Sequence, residues 1–169
     1  VMDRLGRVAF QATLRTGSGG VTTDNRAGIW RDGTLLARSG DQAPGAPSGV
    51  LFGGFNAPVM NAAGQIAYAG FLAIGPGGVT FDNDVGLWRE TSLLAREGSQ
   101  APGTAPGSLF SSFNAPVLSD AGQVAFLASL RIGTGDVTFA NDTGIWRDGT
   151  LVAREGSPAP GIPTGALSL

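Results

Sequence analysis

One block of thirteen residues occurs three times in the chain, at a constant spacing of 58 residues. The three copies read GIWRDGTLLARSG, GLWRETSLLAREG and GIWRDGTLVAREG, which places a Trp-Arg pair at Trp30, Trp88 and Trp146. A fixed period of this length indicates a repeat architecture, in which each unit buries its apolar face against its neighbours. The chain must therefore adopt a fold that stacks similar modules.

The repeat divides the chain into three units that align without a gap, at residues 1–58, 59–116 and 117–169. The third unit is incomplete, because it stops before the Phe-Asn-Ala-Pro sequence that ends the other two. We interpret the units as one repeat domain, which belongs either to a longer array or to an assembly. Several columns hold the same residue in every unit: Gly6/Gly64/Gly122, Ala9/Ala67/Ala125, Asn25/Asn83/Asn141, Arg38/Arg96/Arg154 and the Ala-Pro-Gly runs that begin at Ala43, Ala101 and Ala159.

Each unit predicts about four short β-strands joined by hairpins. Asp-Gly lies between two apolar runs in the first and third units, and this dipeptide is a strong hairpin signal. Four antiparallel strands in a unit of about 40–60 residues are typical of a propeller blade. The predicted fold class is all-β, a β-propeller-like array, with an open β-solenoid or a stacked sandwich as alternatives. In the second unit the extended segments are Asn56–Met60, Gln65–Leu72, Gly86–Arg89 and Leu93–Arg96.

The composition excludes several kinds of chemistry. The chain has no Cys and no His, which removes disulfides, Cys/His zinc sites, Cys nucleophiles and Ser-His dyads. All 11 basic residues are Arg, so the lysine of a P-loop or of a Schiff base is absent. A net charge of −2 offers no attraction for nucleic acid. No apolar run approaches the roughly 18 residues of a membrane span.

A short motif in each unit is similar to a known repeat. The second unit reads Asn61-Ala-Ala-Gly64-Gln-Ile-Ala67-Tyr68, and the matching stretches are Asp3–Phe10 and Ser119–Phe126. The Gly and the Ala hold in all units, whereas the leading Asn occurs once and Tyr replaces the final Phe once. The pattern resembles the N-x-x-G-x-x-A-F tandem repeat of bacterial secreted and surface-anchored proteins of uncharacterised function. This resemblance implies an extracellular or cell-surface location and a repetitive β architecture, and it carries no catalytic residues.

Two sets of columns are candidates for carbohydrate binding. The Trp column could form an aromatic platform for sugars, and the alternative is an anchor inside each blade. The Arg columns could bind carboxylates or anionic glycans, and the alternative is pairing with acidic side chains or carbonyls of the repeat. The candidate residues are Trp30, Trp88, Trp146, Arg38, Arg96 and Arg154, with Arg31, Arg89 and Arg147 as a second Arg column.

Oxygen-rich loops in each unit are candidates for calcium. Calcium binds closely spaced carboxylate and amide oxygens, although Asp and Asn are also ordinary turn residues. The strongest candidate is Asp82, Asn83 and Asp84, because this loop has two carboxylates and one amide. Asn141 begins the sequence Asn-Asp-Thr, which makes it a candidate for N-glycosylation.

Catalytic and phosphate sites find less support in the sequence. Glycoside hydrolysis needs two carboxyl groups about 5–9.5 Å apart. Glu97 and Glu155 occupy one column of neighbouring units, which does not require them to face each other. The Gly-rich loops at residues 17–20 and 75–78 lack both a lysine and a following helix, so phosphate binding is not supported.

The number of units indicates how the chain would function. Single-ring propellers have about four to eight blades, so three leave open sheets that invite pairing. A longer array, a six-bladed ring of two chains or a head-to-tail polymer would each cover them.

Our first hypothesis is a non-catalytic extracellular structural protein that associates with itself head to tail as a filament subunit. It needs no cofactor apart from the calcium considered above. The second hypothesis is a carbohydrate-binding module that uses the Trp and Arg columns. The third is a hydrolase or lyase that uses Asp, Glu and Arg.

Overall fold

The computed structural model describes residues 1–159, so the end of the third unit and most of its Ala-Pro-Gly run lie outside the described residues. Within this range the protein is all-β, as predicted: it contains three antiparallel sheets, one 3-10 turn at Pro76–Gly78 and no α-helix. No helix in the described range is long and apolar enough to cross a membrane.

The three sheets follow one another along the chain. The first sheet contains β1 (Ala9–Thr13), β2 (Ala27–Arg31) and β3 (Thr34–Arg38). The middle sheet contains β4 (Phe52–Phe55), β5 (Val59–Met60), β6 (Ile66–Leu72), β7 (Val85–Arg89) and β8 (Ser92–Arg96). The third sheet contains β9 (Phe110–Phe113), β10 (Val117–Leu118), β11 (Val124–Leu130), β12 (Thr143–Arg147) and β13 (Thr150–Arg154).

The middle and third sheets have the same topology. In the middle sheet β6 pairs with β7 on one side, and on the other side with β4 and then β5. The sheet is completed by the β7–β8 hairpin. Because β4 comes from the end of the first sequence unit, the sheets are offset from the unit boundaries read from the sequence. Through residue 159 the sheets do not close into a ring.

Short hairpins connect the last two strands of each sheet, as the Asp-Gly signal predicts. Asp32 and Gly33 have φ of 47° and 80°, and Asp148 and Gly149 have 47° and 78°. Positive φ at both central residues matches the twist of paired strands and favours Asp-Gly. The middle sheet has Glu90 at φ 53° in the same place, with Thr91 where the other turns have Gly.

A glycine in each sheet provides space for the Trp side chain. A Cβ atom added at Gly28, Gly86 or Gly144 would lie 2.6–2.7 Å from Cη2 of the Trp two residues later. The indole therefore lies flat along its own strand, where a methyl group would collide with it. This contact explains why Gly-[Ile/Leu]-Trp is constant in the three units.

The core lies between sheets rather than within one. Side chains alternate along β6, so that Ile66 and Tyr68 pack toward the first sheet while Ala67 and Ala69 pack toward the third. One cluster fills the space between the first and middle sheets, and an equivalent cluster fills the space between the middle and third sheets. Among the described residues, only the middle sheet is therefore covered on both faces.

The contact between Gly86 and Trp88 predicts the result of a single methyl addition. Gly86→Ala should lower the free energy of unfolding by about 1–3 kcal/mol, because the buried indole has no room to move. Urea unfolding followed by Trp fluorescence measures the change.

Gly54→Ala is the matched control, since its new Cβ would meet only Cδ2 of Phe71 at 3.9 Å. We expect a change within about 0.5 kcal/mol for this substitution. Equal losses at the two positions would show that the glycine does not accommodate the indole.

Candidate functional site

The contact between successive sheets is built twice with the same hydrogen bond. Trp88 Nε1 donates to the carbonyl of Pro44 at 2.9 Å, and Trp146 Nε1 donates to that of Pro102 at 3.0 Å. Both acceptors lie in the Ala-Pro-Gly run of the preceding unit. The two indoles are fully buried, so this bond satisfies a donor that would otherwise be costly to bury.

An arginine of the first unit and one of the second unit also reach the next unit. Arg31 Nη1 donates to the Gly64 carbonyl and to Glu90 Oε1, both at 2.8 Å. The same groups in the following pair of sheets are Arg89, Gly122 and Asp148, with distances of 2.7 Å to the carbonyl and 3.3 Å to the carboxylate. The Arg column beside Trp therefore links units, and one acidic side chain of the next hairpin accepts from it.

The turns of the N-x-x-G motif form a third link between units. Arg7 donates to the carbonyls of Ala62 and Ala63, at 2.6 and 2.9 Å. Asn61 Nδ2 donates to the Ser119 carbonyl at 2.9 Å. Each turn thus lies against the turn of the following unit, although the bonding side chains differ.

The outward face of the first sheet exposes the side chains that the other sheets bury. Phe10 is 41% exposed, whereas Tyr68 in the same column is 1% exposed. Leu14 and Leu35 are also exposed, and Leu72, which matches Leu14, is buried. We call this surface the N face.

The outward face of the third sheet exposes the opposite half of the same interface. Ile145 is 43% exposed, whereas Ile29 and Leu87 in its column are fully buried. The exposed side chains of Val117, Leu127 and Val152 lie on the same face as Ile145. We call this surface the C face.

The residues predicted to bind carbohydrate lie mostly inside these interfaces. Trp88 and Trp146 are buried, and only Trp30, on the N face, is partly accessible. Carbohydrate binding stays a prediction that no observation in the described residues favours. The Arg column predicted to bind carbohydrate binds backbone instead, because the Nε atoms of Arg38, Arg96 and Arg154 donate at 2.6–2.8 Å to the carbonyls of Asn25, Asn83 and Asn141.

The oxygens of the predicted calcium loop have separate partners. Asn83 Oδ1 accepts from Thr80 N at 2.9 Å and from Arg96 Nη2 at 3.1 Å. Asp82 pairs with Arg131, whose Nη2 lies 3.3 Å from Oδ1. Within residues 1–159 no cluster of three or more acidic side chains is placed to hold a metal ion.

Asn141 takes part in a similar loop. Its Oδ1 accepts from Thr138 N at 2.7 Å, and its Nδ2, the atom that a glycan would occupy, donates to the Asp136 carbonyl at 3.2 Å. Glycosylation stays a prediction. The hydrogen bonds give this Asn a structural role that it shares with Asn25 and Asn83.

The carboxyl groups of Glu97 and Asp84 form a pair at the edge of the interface between the middle and third sheets. Glu97 is only 7% exposed, and its Oε2 accepts from Val85 N at 3.2 Å. Burial, together with a hydrogen bond to Asp84 and its charge, raises the pKa of Glu97 from the ordinary 4.5 to about 7, while Arg131 opposes the rise. Glu155, its proposed catalytic partner, belongs to the third sheet's outward side, in the loop after β13.

The position of Glu97 predicts a pH dependence of stability. Because the folded chain holds this proton more tightly than the unfolded chain, the free energy of unfolding should fall as pH rises from about 4.5 to about 7. Glu97→Gln should remove that fall and leave the variant more stable than the parent at pH 8, by about 1–3 kcal/mol. Urea unfolding at several pH values measures it.

Glu155→Gln is the matched control, because Glu155 occupies the same column on the open side of the third sheet. Its stability profile should run parallel to that of the parent. If Glu97→Gln also ran parallel, the carboxyl pair would not govern the pH response.

Sequence reasoning missed the links between units, although one signal was present. In the acidic column Asp32/Glu90/Asp148 the side chain differs in length but is always negatively charged, and the column lies beside an invariant Arg column. That combination is compatible with pairing within a unit or between units. The coordinates place the pairs between units.

Comparison with known proteins gives a family but no activity. No curated protein and no solved structure matches the chain. Residues 1–168 match the family of unknown function DUF7453, which covers all three repeat units. The chain therefore belongs to the family of unknown function DUF7453.

Proposed function

We propose that the chain is a non-catalytic structural repeat module that associates with copies of itself head to tail. In this arrangement the C face of one molecule covers the N face of the next. The observation that carries the proposal is that these two faces are the opposite halves of an interface already formed twice within the chain.

Apolar contact would supply most of the affinity. Covering an exposed Ile or Phe contributes about 1.5–3 kcal/mol if burial is complete. Ile145 and Phe10 are each exposed by about two fifths, and their counterparts Leu87 and Tyr68 are buried by a neighbouring sheet. Extended exposed apolar faces of this kind are typical of association surfaces.

Charges at the two ends are complementary and would set the register. Arg147 continues the Arg31/Arg89 column and has no ion-pair partner among residues 1–159. Asp32 continues the acidic column at the other end, where within the described range it accepts only from Val8 N, at 2.8 Å. An exposed ion pair is worth about 0–1 kcal/mol, so this contact contributes specificity more than affinity.

The positions of β5 and β10 support a propeller-like arrangement of the sheets. A cavity of about 330 Å³ is lined by one column of the three units, Met2, Met60 and Leu118. Strands β5 and β10 lie against each other beside it. If the three sheets are arranged around an axis through this cavity, two molecules could complete a six-bladed ring. If the rotation from one molecule to the next does not complete a ring, the molecules would form a filament.

The proposal predicts association that depends on the C face. Ile145→Arg should weaken association at least about tenfold, because the new charge would be buried without a partner. Light scattering after size-exclusion chromatography, over a range of protein concentrations, measures the mass. A stable dimer indicates a ring, and a mass that grows with concentration indicates a polymer.

Phe139→Arg is the control, since Phe139 is 82% exposed in a loop outside the two faces. It should associate like the parent. A parent chain that remains monomeric at millimolar concentration, or a loss of association that is equal in the two variants, would contradict the proposal.

A further inference from the structure

Within residues 1–159, the first sheet has no counterpart of β4 in the middle sheet or of β9 in the third sheet. In the middle sheet β6 is paired on both sides, by β7 and by β4. In the third sheet β11 is likewise paired by β12 and by β9. In the first sheet β1 pairs with β2 along its length, and on its other side only Ala9 is paired among the described residues, with Val1 at 2.9 and 3.0 Å, next to the bridge between Met2 and Val8.

The backbone of the open edge is already in place. Asn56 N donates to the Ala69 carbonyl at 3.0 Å, and Ala73 N donates to the Leu51 carbonyl at 2.8 Å. In the third sheet, Asn114 N donates to the Leu127 carbonyl at 2.9 Å. Arg131 N donates to the Leu109 carbonyl at 2.8 Å. The matching groups of the first sheet are the Gln11 carbonyl and the Arg15 amide, and that amide has no acceptor among residues 1–159.

The missing strand would bring two Phe side chains with it. The ring of Phe52 meets Trp88 edge-on, with centroids 4.9 Å apart, and Phe110 meets Trp146 at 5.0 Å. The second Phe of each strand, Phe55 or Phe113, meets the aromatic residue that stacks on that Trp, at 5.9 or 5.7 Å. Edge-to-face pairs of this kind add to the burial of the rings.

The receiving aromatic pair is formed in the first sheet without these partners. Phe10 stacks on Trp30 with centroids 5.8 Å apart and planes 11° apart. Tyr68 and Trp88 have nearly the same geometry, 6.1 Å and 12°. Phe10 is nevertheless exposed, so a seat for two Phe rings is present and unfilled in the described residues.

We infer that the open edge of β1 binds an extended segment with the sequence Leu-Phe-x-x-Phe-Asn-Ala-Pro, which adds to the first sheet as its missing strand. This segment occurs at residues 51–58 and 109–116, where it fills the equivalent position in the middle and third sheets. The inference deepens the proposed association and rests on it for the source of the segment, namely a repeat unit whose copy of the segment is not already paired in a sheet, as the copies at residues 51–58 and 109–116 are. Strand addition supplies main-chain hydrogen bonds, and the two Phe side chains supply selectivity.

A synthetic peptide tests the inference. The peptide Gly-Val-Leu-Phe-Gly-Gly-Phe-Asn-Ala-Pro, copied from residues 49–58, carries a fluorescent label and is titrated with the whole chain. We expect saturable binding by fluorescence anisotropy. The emission of Trp30 should shift to shorter wavelength, since Trp88 and Trp146 are already buried.

Two altered peptides separate strand addition from simple apolar adhesion. Replacing both Phe residues by Ala should weaken binding at least about tenfold. N-methylation of the residue that matches Asn56 removes the amide that donates to β6 and should weaken binding by a similar factor. Equal binding of the N-methylated and parent peptides would overturn the inference, and so would no binding of the parent peptide at about 1 mM.

A variant of the chain maps the site. Ala12 occupies the column of Gly70, where an added Cβ would meet the rings of Phe52 and Trp88, both at 2.9 Å. Ala12→Arg should therefore block the peptide, and Phe139→Arg, on an exposed loop outside the N face and the C face, should not. Circular dichroism and the melting temperature confirm that both variants fold, and peptide binding unchanged by a folded Ala12→Arg would overturn the inference.

The outcome is independent of the test of association. A chain that stays monomeric but binds the peptide retains the inference and loses the proposed association. A chain that associates but does not bind the peptide retains the association and loses the inference.

Discussion

The structure depends on one contact, in which a Trp indole lies across the glycine of its own strand and donates to a carbonyl of the preceding unit. The indole ring fills the space between two sheets, and the hydrogen bond from its N–H fixes how one sheet is positioned on the other. Neither sheet of a pair could bury its apolar face without the other. The chain is accordingly stabilised by interfaces between modules, as repeat proteins are.

This dependence explains which columns are constant. Trp, the glycine before it and the Pro of the Ala-Pro-Gly run form the contact, and the Arg after Trp ties the next hairpin to it. The Arg38/Arg96/Arg154 column is constant for a different reason, because it binds the carbonyl of the invariant Asn. Residues usually associated with binding therefore have structural partners here, and the N face and the C face expose apolar side chains.

The sequence predicted the local structure well, because strands and hairpins are written in short patterns. Predicting the Asp-Gly turns at Asp32 and Asp148, and the three units repeated every 58 residues, required no tertiary information. The offset of the sheets was not predictable in this way, since Phe52 and Phe55 pair with a strand that follows them across a Pro-containing break. Glu97 was read as a catalytic candidate from its column, whereas its burial beside Asp84 and Val85, with the charge of Arg131 nearby, arises only from the tertiary structure.

The open faces follow from the same contact. A module that needs a neighbour on each side leaves one unsatisfied half at each end of any open array, and here Trp30 lies on one half and Ile145 on the other. The aromatic stack of Phe10 on Trp30 is present without a cover, so this part of the N face has the packed geometry of the buried pairs in the absence of a neighbouring sheet.

Hydrogen exchange of the three indole N–H groups, measured by NMR at low and high protein concentration, tests this account most directly. The account predicts slow exchange at Trp88 and Trp146 at every concentration, and fast exchange at Trp30 that slows as the concentration rises. Equal protection of all three indoles in the dilute monomer, or exchange at Trp30 that is independent of concentration, would contradict it.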